Sequence, residues 1–214
     1  MKNIILPLIL LISSVCLSQS IWKKQADLRQ KNQIKETTIY LQNPQNSKQK
    51  RIWDWELYDR NGRLIESKRF LPNGKVKSHY QFEYPTDKTR VLIVLNKRGK
   101  EEKRIDQQFD LSNDKEQMVS ESESGILGYE YDENGNTTKV WRIKESPKLL
   151  QLEIFYDEND LRIKEKQVIN KRDGSFYIST RIYERDKEGN ILKITSYGEN
   201  DVIESIELHD HEKH

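Results

Sequence analysis

The sequence has one cysteine, Cys16, in 214 residues. No disulfide can form within the chain, so stability must come from backbone hydrogen bonding and packing, and thiol chemistry is excluded. Long apolar runs are also missing. The longest, Ile4 to Ile12, follows Lys2 and precedes the small residues Ser13, Ser14 and Ser18. That run is well short of the roughly twenty residues needed to cross a bilayer, so residues 1–18 read as a secretory signal peptide cleaved after Ser18. A lipoprotein signal using Cys16 is the alternative, weakened by Val15 where a small residue is expected. Charge of one sign is absent as well. With Lys2 removed, 36 basic residues face 35 acidic ones, interspersed without a basic stripe, which argues against nucleic acid as a partner. There is no Gly-x-Ser-x-Gly elbow, Walker loop or Rossmann glycine triplet.

Apolar and charged residues each make up 34% of the chain, yet ten Tyr, five Phe and four Trp are present. Large side chains recur to the C-terminus, and disordered chains lack these. The chain therefore folds, with enough length for one compact β domain or two small ones.

A repeat supplies the architecture. It is written most fully at Tyr58-Asp59-Arg60-Asn61-Gly62-Arg63, Tyr131-Asp132-Glu133-Asn134-Gly135-Asn136, Tyr156-Asp157-Glu158-Asn159-Asp160-Leu161 and Tyr183 to Asn190 through Gly189. Weaker copies of the turn alone are Pro72-Asn73-Gly74-Lys75, Lys97-Arg98-Gly99-Lys100, Arg172-Asp173-Gly174-Ser175 and Tyr197-Gly198-Glu199-Asn200. A tight hairpin needs residues at positive φ, where Gly and then Asn or Asp cost least, and an entrance Asp bonds amides two residues on. The Tyr before the turn is expected to pack across to the next strand with its hydroxyl in water.

Between turns the period is two. Trp53, Trp55 and Leu57 share a face, as do Tyr80, Phe82 and Tyr84, and Leu150, Leu152, Ile154 and Tyr156, with Glu153, Lys164 and Lys166 on the charged side. Thr37 to Leu41 reads as a first strand, and Phe176 to Ile182 and Val202 to Leu208 as late ones. Trp22 to Glu36 is spaced too irregularly for a strong amphipathic helix and reads as an adaptor. Tyr84 to Asp87 and Gln117 to Gly125 read as inserted loops. The expected fold is all-β: an antiparallel meander of about a dozen strands in a twisted, curved sheet, either open or partly closed. Residues 1–18 form the signal peptide, 19–50 an N-terminal segment with the first strand, and 51–214 the hairpin repeats.

The Tyr-Asp-x-x-Gly-Asn/Arg motif at Tyr131 to Asn136 and Tyr58 to Arg63 resembles the YD repeats of the RHS family, and Asn61-Gly62-Arg63 to Asn73-Gly74-Lys75 looks like MORN-like repeat antitoxins. The first resemblance implies exported β-sheet scaffolds, the second an immunity-type antagonist.

Candidate chemistry is sparse. His209, His211 and His214 invite a metal reading, but His211 to His214 is one residue short of the His-Glu-x-x-His spacing, and a solvated tail is the simpler expectation. The acidic turns lack the fixed bidentate Glu of a calcium loop. No metal site and no cofactor are expected. Trp22, Trp53, Trp55 and Trp141 are the candidate binding aromatics, Trp53 and Trp55 being equally suited to a core. The expected function is a non-enzymatic, exported binding or scaffold module for a protein or glycan of the cell envelope, without a membrane-spanning segment, ending in the periplasm or secreted. The alternatives are the antagonist and a hydrolase with an unrecognised carboxylate pair.

Overall fold

The computed structural model describes residues 19–86, 89–108, 120–122, 125–143, 149–171 and 173–214. The signal peptide and Cys16 lie outside them. One helix, α1 (Gln19–Lys31), precedes fourteen strands: β1 (Ile34–Asn43), β2 (Asn46–Tyr58), β3 (Leu64–Phe70), β4 (Val76–Thr86), β5 (Thr89–Leu95), β6 (Glu101–Gln108), β7 (Ser120–Ser122), β8 (Gly125–Tyr131), β9 (Thr137–Ile143), β10 (Leu149–Tyr156), β11 (Arg162–Asn170), β12 (Phe176–Arg185), β13 (Ile191–Tyr197) and β14 (Ile203–Lys213).

All fourteen strands form one antiparallel sheet, as the turn repeat and the period of two require. Its order is β6-β5-β4-β3-β2-β1-β14-β13-β12-β11-β10-β9-β8-β7. Sequence neighbours pair throughout, and one further pairing joins the chain's two extremities: β1 lies against β14 from Ile34↔Lys213 to Gln42↔Ile206. His209 and His211 are thus part of a central strand rather than a solvated tail, while His214 lies exposed just beyond it, because a meander whose first and last strands pair satisfies both their backbone edges. The sheet's free edges are β6 and β7, which do not pair with each other among the described residues, so the sheet is not closed.

The sheet curls strongly. The β2–β3 and β8–β9 turns are eight strand spacings apart, about 38 Å if the sheet were flat. Yet α1 touches both: Lys24 bonds Asn136 and Arg29 bonds Gly62, from positions only about 7.5 Å apart along the helix axis. Curling brings the turns to the helix, which lies across one end.

The segment from Trp22 onward is therefore helical rather than an irregular adaptor. Its weak amphipathicity misleads because it docks through polar side chains onto turns, not through an apolar stripe. Tyr84 to Thr86 continues β4 instead of forming a loop, and β1 is longer than Thr37 to Leu41. Of Gln117 to Gly125, Ser120–Ser122 forms β7, residues 117–119 and 123–124 lie outside the described residues, and Gly125 opens β8.

The concave face has two characters. Around Ile34 it is apolar, with Tyr58, Leu64, Phe82 and Leu92 buried together and Tyr80, Tyr84, Val94 and Ile105 packed on them. Towards β11–β14 it is ionic, as described below. Phe176 and Ile178 point the other way and stand 65% and 51% exposed, so the expected division into one apolar and one wet face fails in that half. A β-bulge between Ile52 and Asp54 also breaks the alternation in β2: Asp54 pairs with Ile39 and Arg69, whereas Trp55 pairs with Thr38 and Lys68 on the opposite face.

Candidate functional site

The full copies of the repeat share one local geometry. Asp59 N–H donates to Arg63 O and Gly62 N–H to Asp59 O, while Asp59 Oδ1 accepts from the amides of Asn61 and Arg63, all at 2.9 Å. Asp132, Asp157 and Asp186 do the same in their turns. The fourth position has positive φ at Gly62, Gly135, Asp160 and Gly189. This is a three-residue hairpin loop, a type I turn closed by a left-handed residue, and the register slips by one beside each.

Strand direction sorts the copies. The four turns led by Tyr58, Tyr131, Tyr156 and Tyr183 all lie at the end covered by α1. The turns at 71–75, 96–100, 171–175 and 198–202 lie at the opposite end, with Asn73 and Gly74 at the tip of the first. Behind the helix the hydroxyls of Tyr58, Tyr156 and Tyr183 are not in water. Tyr58 is 3% exposed and donates to Glu56, with the Arg29 guanidinium 4.3 Å from its ring. Tyr156 donates to Thr137 O at 2.9 Å. Burial, aided by Glu165, pushes the Tyr183 hydroxyl up to about 12, and burial also raises Tyr156 to about 12.

The helix is held by the turns' last residues, not their first. Asn136, fully buried, accepts from Lys24 Nζ at 2.8 Å and donates to Asp132 and Asp160. Asn190 accepts from Asn32 Nδ2 at 2.6 Å while donating to Asp186. Arg29 Nε donates to Gly62 O, and a Cβ at Gly62 would lie 2.0 Å from Ala26 O. Asp160, the repeat's one departure from Gly, sits at φ 58° and accepts from Lys24, Asn134 and Asn136, ligation by which Lys24 first of all holds its carboxyl below the usual range. A left-handed Asp costs about 1 kcal/mol, and here its side chain ties two turns to the helix. Asn136, Asp160 and Asn190 were not among the expected site residues; the Asn after Gly and the broken Gly were the available signals.

Between helix and turns remains a cavity of about 30 Å³, bounded by Leu28, Tyr156, Leu161, Arg162 and Arg185. That is space for one water molecule. Further along, the ionic half of the concave face forms a belt. Arg69 clamps Asp54 with two bonds of 2.8 and 2.9 Å, Arg181 bonds Glu207 at 2.9 Å and lies 3.9 Å from Glu165, and Arg162 bonds Glu165. Burial raises the Glu207 pKa against the pull of Arg181. His209 lies behind this belt, its Nε2 without a partner, and burial together with His211, Arg181 and Arg185 lowers it to about 4. His211 bonds Thr37 Oγ1 and Ile191 O.

The candidate aromatics do not converge. Trp53 lies against Arg51 and Arg69, Trp55 under Lys68 on the other face, and Trp141, seven spacings away on β9, donates to Glu130. Trp22 falls on α1, its side chain outside the described part of the structure. Among the described residues no group of three His, Cys, Asp or Glu is arranged to hold a metal ion, and no helix is long and apolar enough to cross a membrane.

No protein-family model matches the chain, and no curated protein does. Among solved structures, it is similar to a porin-like protein from Bacteroides uniformis, at a TM-score of 0.33 and 10% identity over 84% of this chain and 98% of that one. The two have all-β structure in common. So distant a likeness carries no argument about activity.

Proposed function

We propose that this chain is an exported, non-enzymatic binding module of the cell envelope, its curled repeat sheet serving as a scaffold for a protein or glycan partner. The YD-repeat resemblance and the signal-like residues 1–18 support export and a scaffold role.

One observation carries the non-enzymatic part. The carboxylates of the ionic concave belt and the capped end are committed: Asp54 to Arg69, Glu56 to Tyr58, Glu165 to Arg162, and Glu207 to Arg181. A glycosidase pair needs one carboxylic acid and one free carboxylate flanking room for a sugar. The cavity behind the helix has room for one water molecule and none for a sugar ring. Binding therefore falls to the outer surface and the end away from α1.

The convex face also argues against a lipid-facing band. Lys139, Glu153, Lys166 and Lys164 stand at outward mid-strand positions of β9, β10 and β11, where a Lys at the bilayer midplane costs about 2–4 kcal/mol.

The test is mass spectrometry of the protein from its own cells, followed by crosslinking in intact cells and reconstitution with the purified partner. The expected results are a mature N-terminus at Gln19 and stoichiometric binding without turnover. A retained leader, or turnover of an envelope glycan that disappears in Glu207→Gln, contradicts the reading.

A further inference from the structure

Two of the turns away from α1 carry the opposite charge. The β3–β4 turn and start of β4 present Lys75 and Lys77, and the β5–β6 turn presents Lys97, Arg98 and Lys100, all five exposed. Only two strand spacings, about 10 Å, separate these turns. Several other surface cations are matched: Lys68 with Glu66, Arg104 with Glu83 and Glu101, Lys139 with Glu130, Lys193 with Glu184. Among the described residues none of these five sits in an ion pair.

Between the two turns runs an open groove of about 430 Å³. Lys77, Lys97 and Arg98 border it, Val76 and Leu95 supply aliphatic wall, and one acid, Glu102, stands at its side. Leu71 beside it is 37% exposed. Unpaired cations around an aliphatic groove match a chain that alternates carboxylates with apolar side chains.

We infer that this groove docks an acidic, leucine-containing peptide segment of a partner protein. An acidic glycan fits less well, since no Tyr, Trp or Phe lines the groove for sugar stacking. A membrane surface fits less well, since Val76 and Leu95 are half-buried and the acid Glu102 stands beside them.

The inference rests on the binding-module reading, and its test separates the two. The probe is a fluorescein-labelled peptide of alternating Glu and Leu, titrated by anisotropy into the mature protein at low and high salt, beside a glucuronate oligomer and phosphatidylglycerol vesicles. Expected are peptide binding that weakens with salt and falls at least about tenfold in Lys97→Glu/Arg98→Glu, with no loss in the control Lys187→Glu at the helix end. Both variants alter exposed side chains, and an unchanged Tm confirms the fold. Unaltered affinity in the charge-reversal variant, no binding at low salt, or tighter binding of the glucuronate oligomer or the vesicles overturns the groove assignment while the binding-module reading stands. Turnover lost in Glu207→Gln overturns the latter alone.

Discussion

At one end of the sheet the turns open with Asp, close with Arg, Asn or Leu, and grip a helix; at the other, the β3–β4 and β5–β6 turns carry Lys and Arg, and a Cβ added at Gly74 or Gly99 meets nothing within 4 Å. Both kinds close the same hydrogen-bonded loop, Gly62 N–H to Asp59 O and Gly74 N–H to Leu71 O. The turn chemistry makes the hairpin; the residues around it decide whether the hairpin also binds. The helix of the gripped end is itself basic, with Lys23, Lys24, Arg29 and Lys31 against Asp27, so the acidic turns already have a cationic occupant.

The largest expected effect comes from adding one methyl group at the gripped end. Gly62→Ala puts a Cβ 2.0 Å from Ala26 O at φ 71° and should cost roughly 3 kcal/mol or more, through left-handed strain and displacement of α1. Urea unfolding measures it.

Acid comes next, because burial behind the ionic belt, with His211, Arg181 and Arg185 nearby, lowers His209 to about 4 from 6.5. The unfolded chain takes up this proton near pH 6.5 and the folded one only near 4. Stability is therefore full above about pH 6.5, falls as the pH drops through that window, and levels off below 4, for a total on the order of 3 kcal/mol. His209→Phe should flatten that slope in thermal melts run across pH.

Asn190→Ala removes the bonds to Asn32 and Asp186, leaving the Asn32 amide with Glu188 O alone, and should cost about 1–2 kcal/mol. Gly74→Ala has the same positive φ as Gly62 but nothing within 4 Å of the new Cβ, so about 1 kcal/mol of strain is expected; a cost equal to that of Gly62→Ala would erase the difference between the ends. Smallest is Lys24→Ala. Its pair with Asp160 is about a third exposed and contributes less than about 1 kcal/mol, less still at high salt, and Asn136 keeps its bonds to Asp132 and Asp160.

Much of the fold was legible in the residues. Gly and Asn at fixed offsets mark turns because few residues tolerate positive φ, and the period of two at Tyr80, Phe82 and Tyr84 marks the concave side of β4. What stayed hidden depends on distant parts of the chain. The pairing of Ile34–Asn43 with Ile203–Lys213 leaves no local pattern. Nor does the ionic belt, since Arg181 and Glu207 are ordinary charges until curling brings them together. The helix was obscured because its anchors are Lys24, Arg29 and Asn32 rather than an apolar stripe. The candidate site was legible only as a deviation: Asp160 in place of Gly is where the repeat ties itself to α1.

Hydrogen exchange on the amides of α1 tests this account most directly. In the unmodified protein the amides from Lys24 to Lys31 should be protected. In Gly62→Ala they should lose protection together with the turns at 132–136, 157–161 and 186–190, while those at 71–75 and 96–100 stay unchanged. Free exchange of α1 in the unmodified protein, or equal loosening of both ends in the variant, would contradict a helix held by the Asp-led turns.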